Sequence, residues 1–127
     1  MAIAFQRQKD RKPEAIFASA IMKQLKALYG RRMWETAFPG GLAARSGIPD
    51  RLICIDGRFV ALEFKNPDGK GRLGPKQKLE LEALRATGAI ALVVSSAADL
   101  DELFAAIPPT QYRMGLKCTI DTKDDIG

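Results

Sequence analysis

The dipeptide Asp56-Gly57, between two runs of strand-forming residues, constrains the fold of this chain more than any other feature. Asp-Gly flanked by alternating apolar residues is a strong signal for a two-residue β-hairpin turn. We therefore predict strands over Arg51–Ile55 and Arg58–Lys65, paired across this turn. A hairpin brings its two ends together, so Asp50 should lie close to Glu63.

Side chains alternate between the two faces of the second predicted strand. Val60, Leu62 and Phe64 point to one face, and Phe59, Ala61, Glu63 and Lys65 point to the other. Glu63 and Lys65 are therefore predicted to share a face, beside the small side chain of Ala61.

The chain before the hairpin predicts one helix and one short strand. The helix begins at Pro13, since proline is favoured at the first helical position, and it stops at Gly30 with a left-handed cap. A strand over Met33–Phe38 is broken by Pro39-Gly40-Gly41. The predicted apolar stripe of the helix is Phe17, Ile21, Leu25 and Leu28.

The chain after the hairpin predicts a polar, glycine-rich loop and three further elements. These are a helix from Pro75 to near Gly88, a buried strand over Ala89–Val94, and a helix over Ala97–Ala106 that Ser96 and Asp99 cap. The order α, β, β, β, α, β, α predicts an α/β fold with a mixed central sheet flanked by helices. The predicted organisation is a basic lead-in over residues 1–12, one domain over residues 13–107, and a tail over residues 108–127 that either adds a strand or stays loose.

Length and composition predict one globular domain in a reducing compartment. The chain has 127 residues, of which 46% are hydrophobic and 28% charged, and this is enough to bury a core. An apolar run of about 20 residues and a signal peptide are both missing, so we expect no membrane span and a cytoplasmic location. Two cysteines, Cys54 and Cys118, are predicted to be reduced.

Basic residues are concentrated in two parts of the chain. The net charge is +5, with a basic bias over residues 1–32 and in the loop from Lys65 to Lys78. This distribution suits a phosphate backbone, although a solvated helix face explains part of it.

The chain contains no histidine, and this excludes several kinds of active site. Ser–His–Asp and Cys–His catalysis both need histidine, and there is no Cys/His cluster for zinc. The glycine pattern over residues 69–74 is a poor match to a dinucleotide site, since Lys70 and Arg72 interrupt it, so no nucleotide cofactor is expected.

Asp50, Glu63 and Lys65 are what a metal-dependent phosphodiester hydrolase needs. Two facing carboxylates repel each other unless a cation lies between them, and Mg²⁺ or Mn²⁺ suits an all-oxygen site. The alternative is a surface salt bridge between Glu63 and Lys65, with Asp50 as an ordinary turn residue. Glu14 lies on an apolar helical face, so it is either buried or at the rim of a cleft, unless it is simply a favourable acid in the first turn. Gln77 shares a face with Leu81 and Leu84, so its amide points toward the sheet, unless it is simply a first-turn residue.

The chain resembles the VRR-NUC family of the PD-(D/E)xK nuclease superfamily, in its stand-alone phage and bacterial form. The resemblance runs from about Glu14 to Ala106 and implies a restriction-endonuclease-like αβββαβ core. It is carried by Gly47-Ile48-Pro49-Asp50, Glu63-Phe64-Lys65, Gly71-Arg72-Leu73 and Gln77, in that order.

This resemblance also implies the role of each site residue. Asp50 and Glu63 would bind Mg²⁺ or Mn²⁺, with the Phe64 carbonyl as a third ligand. Lys65 would position or deprotonate the attacking water. Glu14 would touch the metal through water, and Gln77 would orient Lys65 or the water.

The implied activity is that of a DNA endonuclease acting on branched or structured DNA, like a Holliday-junction resolvase. Four basic residues are predicted to hold the DNA backbone: Lys70, Arg72, Lys76 and Lys78. Arg51 stands where the family pattern suggests an apolar residue, and it faces either substrate or solvent. The alternatives are a non-catalytic DNA-binding module of the same fold and a structural protein whose acids are only surface charges.

Cutting both strands of a junction needs two active sites, so we expect a homodimer. Trp34 and Phe38 are candidates for its interface.

Overall fold

The computed structural model describes residues 12–39 and 45–109. The predicted lead-in and tail, together with Cys118, lie outside the described residues except for Lys12, Pro108 and Pro109. None of the helices in this part of the chain is both long and apolar enough to cross a membrane.

The described chain has mixed α/β structure, as predicted. Its elements are α1 (Pro13–Tyr29), β1 (Met33–Ala37), β2 (Arg51–Ile55), β3 (Arg58–Phe64), α2 (Pro75–Ala86), β4 (Ile90–Val94) and α3 (Asp101–Ala106). Short 3₁₀ turns, Gly30–Arg32 and Ala97–Leu100, precede β1 and α3. The last helix is therefore shorter than predicted, and the Asp99 carboxylate accepts the amides of both Ser95 and Ser96 before it begins.

The four strands form one mixed sheet in the order β1-β2-β3-β4. The first three strands are antiparallel neighbours, and β4 lies parallel to β3. A parallel pair needs a crossover connection, and α2 supplies it here. The predicted mixed sheet with flanking helices is confirmed.

The predicted hairpin forms between β2 and β3. Asp56 and Gly57 have φ angles of 52° and 80°, and positive φ at both central residues is what a type I′ turn requires. The register pairs Ile55 with Arg58 at the turn and Arg51 with Leu62 toward the open end.

The sheet is covered on both faces. Val60, Leu62 and Phe64 of β3 pack into the larger core, with α1 and α3. Ala61 lies on the opposite face with Leu81 of α2. The predicted alternation of β3 is therefore confirmed, and both faces of its second half are buried.

The buried face of α1 differs from the predicted stripe. Leu28 is 44% exposed, so its assignment to the core was wrong. Tyr29 is buried instead. Its hydroxyl has a partner there, since it donates to the carbonyl of Ile107 at 2.6 Å. Burial raises the pKa of the Tyr29 hydroxyl, which keeps it a neutral donor.

The first half of α1 lies over the end of β3. The rings of Phe17 and Phe64 meet edge-on, with centroids 6.0 Å apart. This geometry is favourable for aromatic pairs. Glu14, one turn earlier on α1, lines a cleft together with Asp50 and Phe64.

Gly47 holds the segment before β2 against the first turn of α2. A Cβ atom at this position would lie 2.7 Å from the carbonyl carbon and oxygen of Lys76, and the φ of Gly47 is +86°. An ion pair between Arg45 and Glu80, at 2.6 Å, joins the same two segments. This docking determines where Asp50 enters the sheet.

We expect Gly47→Ala to lower the free energy of unfolding by about 2–5 kcal/mol, since it combines a left-handed backbone with an overpacked contact. Gly69→Ala is the matched control, because Gly69 also has a positive φ of +78° but has open space where its Cβ would lie. The control should lose only about 1–2 kcal/mol in urea unfolding. Equal losses for the two variants would contradict the tight contact with Lys76.

Candidate metal centre

Asp50 and Glu63 meet where β2 begins and β3 ends. The antiparallel register places the residue before β2 beside the last residues of β3. The backbone amide of Phe64 donates to Asp50 Oδ2 at 2.8 Å. The structure therefore brings the two predicted acids into one place and holds Asp50 by the strand backbone itself.

Glu63 is only 3% exposed and is the one charged side chain buried in the described residues. It lies on the face covered by α2, between Ala61 on its own strand and Val93 on β4. Burying a carboxylate without compensation is costly. A glutamate that served only as a polar surface residue would normally be exposed, so this buried position is unusual.

The surroundings of Glu63 raise the pKa of its carboxyl from 4.5 to about 7. Burial is the largest cause, and the neighbouring charge of Asp50 adds to it. Lys65 opposes the shift, and Glu14 adds a smaller increase. The net result is a carboxylate whose negative charge is poorly compensated by the protein alone.

Gln77 bridges Glu63 and Lys65 from the first turn of α2. Its Nε2 donates to Glu63 Oε2 at 2.9 Å, and its Oε1 accepts from Lys65 Nζ at 3.2 Å. The same Oε1 accepts the amide of Gly74, just before the helix, at 2.8 Å. The two alternatives for Gln77 are thus both realised, since it caps the helix and also reaches into the site.

Lys65 is held from two further directions. Its Nζ lies 3.5 Å from Glu63 Oε2, and its amide donates to the carbonyl of Val94 at 2.9 Å. A Cβ at Gly71 would lie 3.3 Å from Cβ and Cδ of Lys65, so the glycine-rich loop packs directly on its aliphatic stem. Sequence reasoning missed this contact, which the glycine at position 71 could have indicated, since glycine allows close approach.

Glu14 reaches the site through an open cleft of about 410 Å³ between α1 and the ends of β1 and β2. The cleft is lined by Lys12, Glu14, Ser19, Asp50, Arg51 and Phe64, among others. Glu14 is half-buried there and shares the cleft with Asp50. Its placement agrees with the predicted position at the rim of a cleft.

The donor set suits a small divalent cation bound largely by water. Hydrogen bonds and ion pairs among the described residues use Oδ2 of Asp50 and Oε2 of Glu63, and leave the second oxygen of each without a protein partner. In this part of the chain no three Asp, Glu, Cys or His side chains cluster closely enough to hold a metal. Two carboxylates with waters and a backbone carbonyl still match the preference of Mg²⁺.

The predicted DNA-contact residues fall into two groups. Lys70, Arg72, Lys76 and Lys78 are exposed on the loop after β3 and on the first turn of α2. Arg51 lies apart from them, in the cleft, where its NH1 contacts Glu35 Oε1 at 3.1 Å. Sequence reasoning missed Glu35, whose only signal was an acid in the middle of a short predicted strand.

We expect the metal-free protein to lose stability as pH rises between about 4.5 and about 7, because the folded state holds a proton on Glu63 that the unfolded chain releases. The stabilisation that comes from this proton is complete below a pH of about 4.5 and is lost above a pH of about 7. Glu63→Gln removes this titration, so its unfolding free energy does not fall with wild type. The difference between variant and wild type should therefore increase by up to about 3 kcal/mol across this pH range. Urea unfolding in EDTA measures the difference, and parallel pH curves for the two proteins would show that Glu63 is not perturbed.

No family model matches the chain, and neither a curated protein nor a solved structure is significantly similar to it. The resemblance to the VRR-NUC family accordingly stays a prediction from the sequence motifs.

Proposed function

We propose that this protein is a Mg²⁺- or Mn²⁺-dependent DNA endonuclease with the restriction-endonuclease-like core of the VRR-NUC family. The observation that carries the proposal is the buried carboxylate of Glu63. It lies beside a second acid, Asp50, and Gln77 bridges it to Lys65. A structural salt bridge needs neither the burial nor the second acid.

Asp50 and Glu63 would hold the cation, with the Phe64 carbonyl as a third ligand. A cation between the two carboxylates relieves the repulsion that raises the pKa of Glu63. When bound, the divalent ion polarises a phosphoryl oxygen and acidifies a coordinated water. Phe64 is well placed for this role, since its own amide is already bonded to Asp50.

Lys65 would act on the water and on the charge that develops at phosphorus. As an ammonium group beside Glu63 it can position a nucleophile next to the cation, and only its neutral amine form would deprotonate that nucleophile. A fixed positive charge there also stabilises the transition state. Gln77 holds the ammonium group by accepting a hydrogen bond from it, and Glu14 lines the cleft beside Asp50 from α1.

The surface around the site supports a nucleic-acid substrate. Lys70 and Arg72 are exposed on the loop that packs on Lys65, and Lys76 and Lys78 are exposed on the first turn of α2. The N-terminus of α2 adds backbone dipoles that favour phosphate. Branched or structured DNA is proposed as the substrate on the family resemblance. A homodimer would supply the second site, and Trp34, which is 63% exposed on the edge strand, is available for its interface together with Phe38.

We expect wild-type protein with Mg²⁺ or Mn²⁺ to cut labelled four-way, flapped or linear DNA, and Lys65→Ala to reduce the rate by at least about 100-fold. Gel analysis of initial rates under excess enzyme measures both. Arg58→Ala is the matched control. It removes one positive charge from an exposed position at the hairpin turn, at the opposite end of β3.

If no metal-dependent product appears on any of these DNA structures, the nuclease proposal is wrong. If Arg58→Ala loses as much activity as Lys65→Ala, the effect reflects total charge and not the site.

We expect Mn²⁺ to bind wild type in a calorimetric titration, and Asp50→Asn and Glu63→Gln each to weaken that binding severely, because each removes one of two anionic ligands. The conservative amides keep the shape of the side chains. The folded state of each variant is checked by its urea midpoint. Unchanged Mn²⁺ binding in both variants would contradict the assigned ligands.

One observation favours the alternative of a non-catalytic DNA-binding module. Within the described residues no three Asp, Glu, Cys or His side chains cluster closely enough to hold a metal ion by themselves. A module of this kind would bind the same DNA panel without cutting it and without needing the cation. The cleavage and titration experiments together separate the two functions.

A further inference from the structure

Arg51 is the one predicted DNA contact that lies inside the cleft with Asp50. Its side chain is 23% exposed, so the side chain is largely enclosed and yet reachable. The register places Arg51 on the α1 face of the sheet, opposite Leu62. Arg51 therefore stands on the other side of the candidate metal centre from the exposed lysines of the loop.

Glu35 holds the Arg51 guanidinium in one orientation. Its Oε1 accepts from Arg51 at 3.1 Å, while its Oε2 pairs with Lys26 at 2.9 Å. The hydrogen bond from Lys26 is the main cause that keeps the pKa of Glu35 below its ordinary value, and Arg51 adds to it. Two cations share one anion, so the group keeps a net positive charge.

Most of the guanidinium has no hydrogen-bond partner among the described residues. Arginine carries five N–H donors, and among the described residues Glu35 is bonded through a single nitrogen, NH1. The remaining donors suit the bidentate binding of a phosphate, which a lysine would not match. These donors point to a ligand with phosphate oxygens, which would lie in the cleft beside Glu14, Asp50 and the cation that Asp50 is proposed to hold.

The cleft itself has the size of a small-ligand site. Its volume of about 410 Å³ falls within the range of about 300–1,000 Å³ that is usual for such pockets. Ala15, Ala18 and Ala37 line it with small side chains, and Lys12 adds a second positive charge at its edge.

We propose that this cleft takes the nucleotide next to the scissile bond, with Arg51 binding its phosphate and Glu35 positioning the guanidinium. The inference rests on the proposed nuclease function and adds a subsite to it. The strand would then pass from the exposed loop lysines, across the metal centre, into the cleft beside α1. Arg51 and Lys70 would contact phosphates on opposite sides of the cut.

The test is the binding of a fluorescein-labelled four-way junction and of a linear duplex with the same arm sequence, followed by anisotropy over a series of salt concentrations. Ca²⁺ replaces Mg²⁺, since it takes the same oxygen ligands with looser geometry. Arg51→Ala should bind about tenfold more weakly, and the slope of log K against log salt should become shallower by about 0.9.

Arg51→Lys separates charge from geometry. It should keep the wild-type salt slope, because the charge remains, and bind with intermediate affinity, because the bidentate fork is lost. Arg58→Ala is the control for total charge and should keep wild-type affinity. Urea midpoints of all variants report any loss of the ion pair with Glu35.

Each outcome bears on a different claim. If wild type cuts and binds DNA while Arg51→Ala matches it in affinity and slope, the subsite is wrong and the nuclease function stands. Arg51 is then only a structural partner of Glu35, and its variants change the urea midpoint alone. If wild type neither cuts nor binds, the proposed function itself fails.

Discussion

The register between β2 and β3 is the constraint on which the rest of the structure depends. The two residues with positive φ at the turn determine it, and every pair along the hairpin follows from them. A slip of one residue would move Glu63 and Lys65 into the larger apolar core and turn Phe64 toward α2. The same slip would separate the Phe64 amide from Asp50, so core and site are specified together.

Within that register, the chain keeps an acid where an apolar residue would stabilise the fold more. Glu63 is enclosed by α2 and by its neighbours on the sheet, and its raised pKa is the physical sign of that cost. Gln77 offsets part of it through a hydrogen bond, and Lys65 does so through an ion pair. Strained electrostatics of this kind are commonly found at functional sites, because a ligand can supply the missing charge.

The candidate centre lies between two different surroundings. On the α2 side, Gln77 and the glycine-rich loop hold Lys65 tightly. On the α1 side there is an open cleft, where Glu14 and Arg51 lie beside Asp50. The closed side suits the positioning of a catalytic group, and the open side suits the entry of a substrate. Asp50 connects the two because it belongs to the cleft and is bonded to the backbone of β3.

The sequence by itself determined the hairpin, the shared face of Glu63 and Lys65, and the meeting of Asp50 with Glu63, since these depend on local turn chemistry and on a period of two. It left Gln77 and Glu14 open, and it placed Leu28 in the core where Tyr29 is buried instead. Only the tertiary structure decided these points, because they depend on how α1 and α2 dock on the sheet. It alone showed the Glu35–Arg51 pair, whose members are 16 residues apart on neighbouring strands, and the burial that gives Glu63 its perturbed charge.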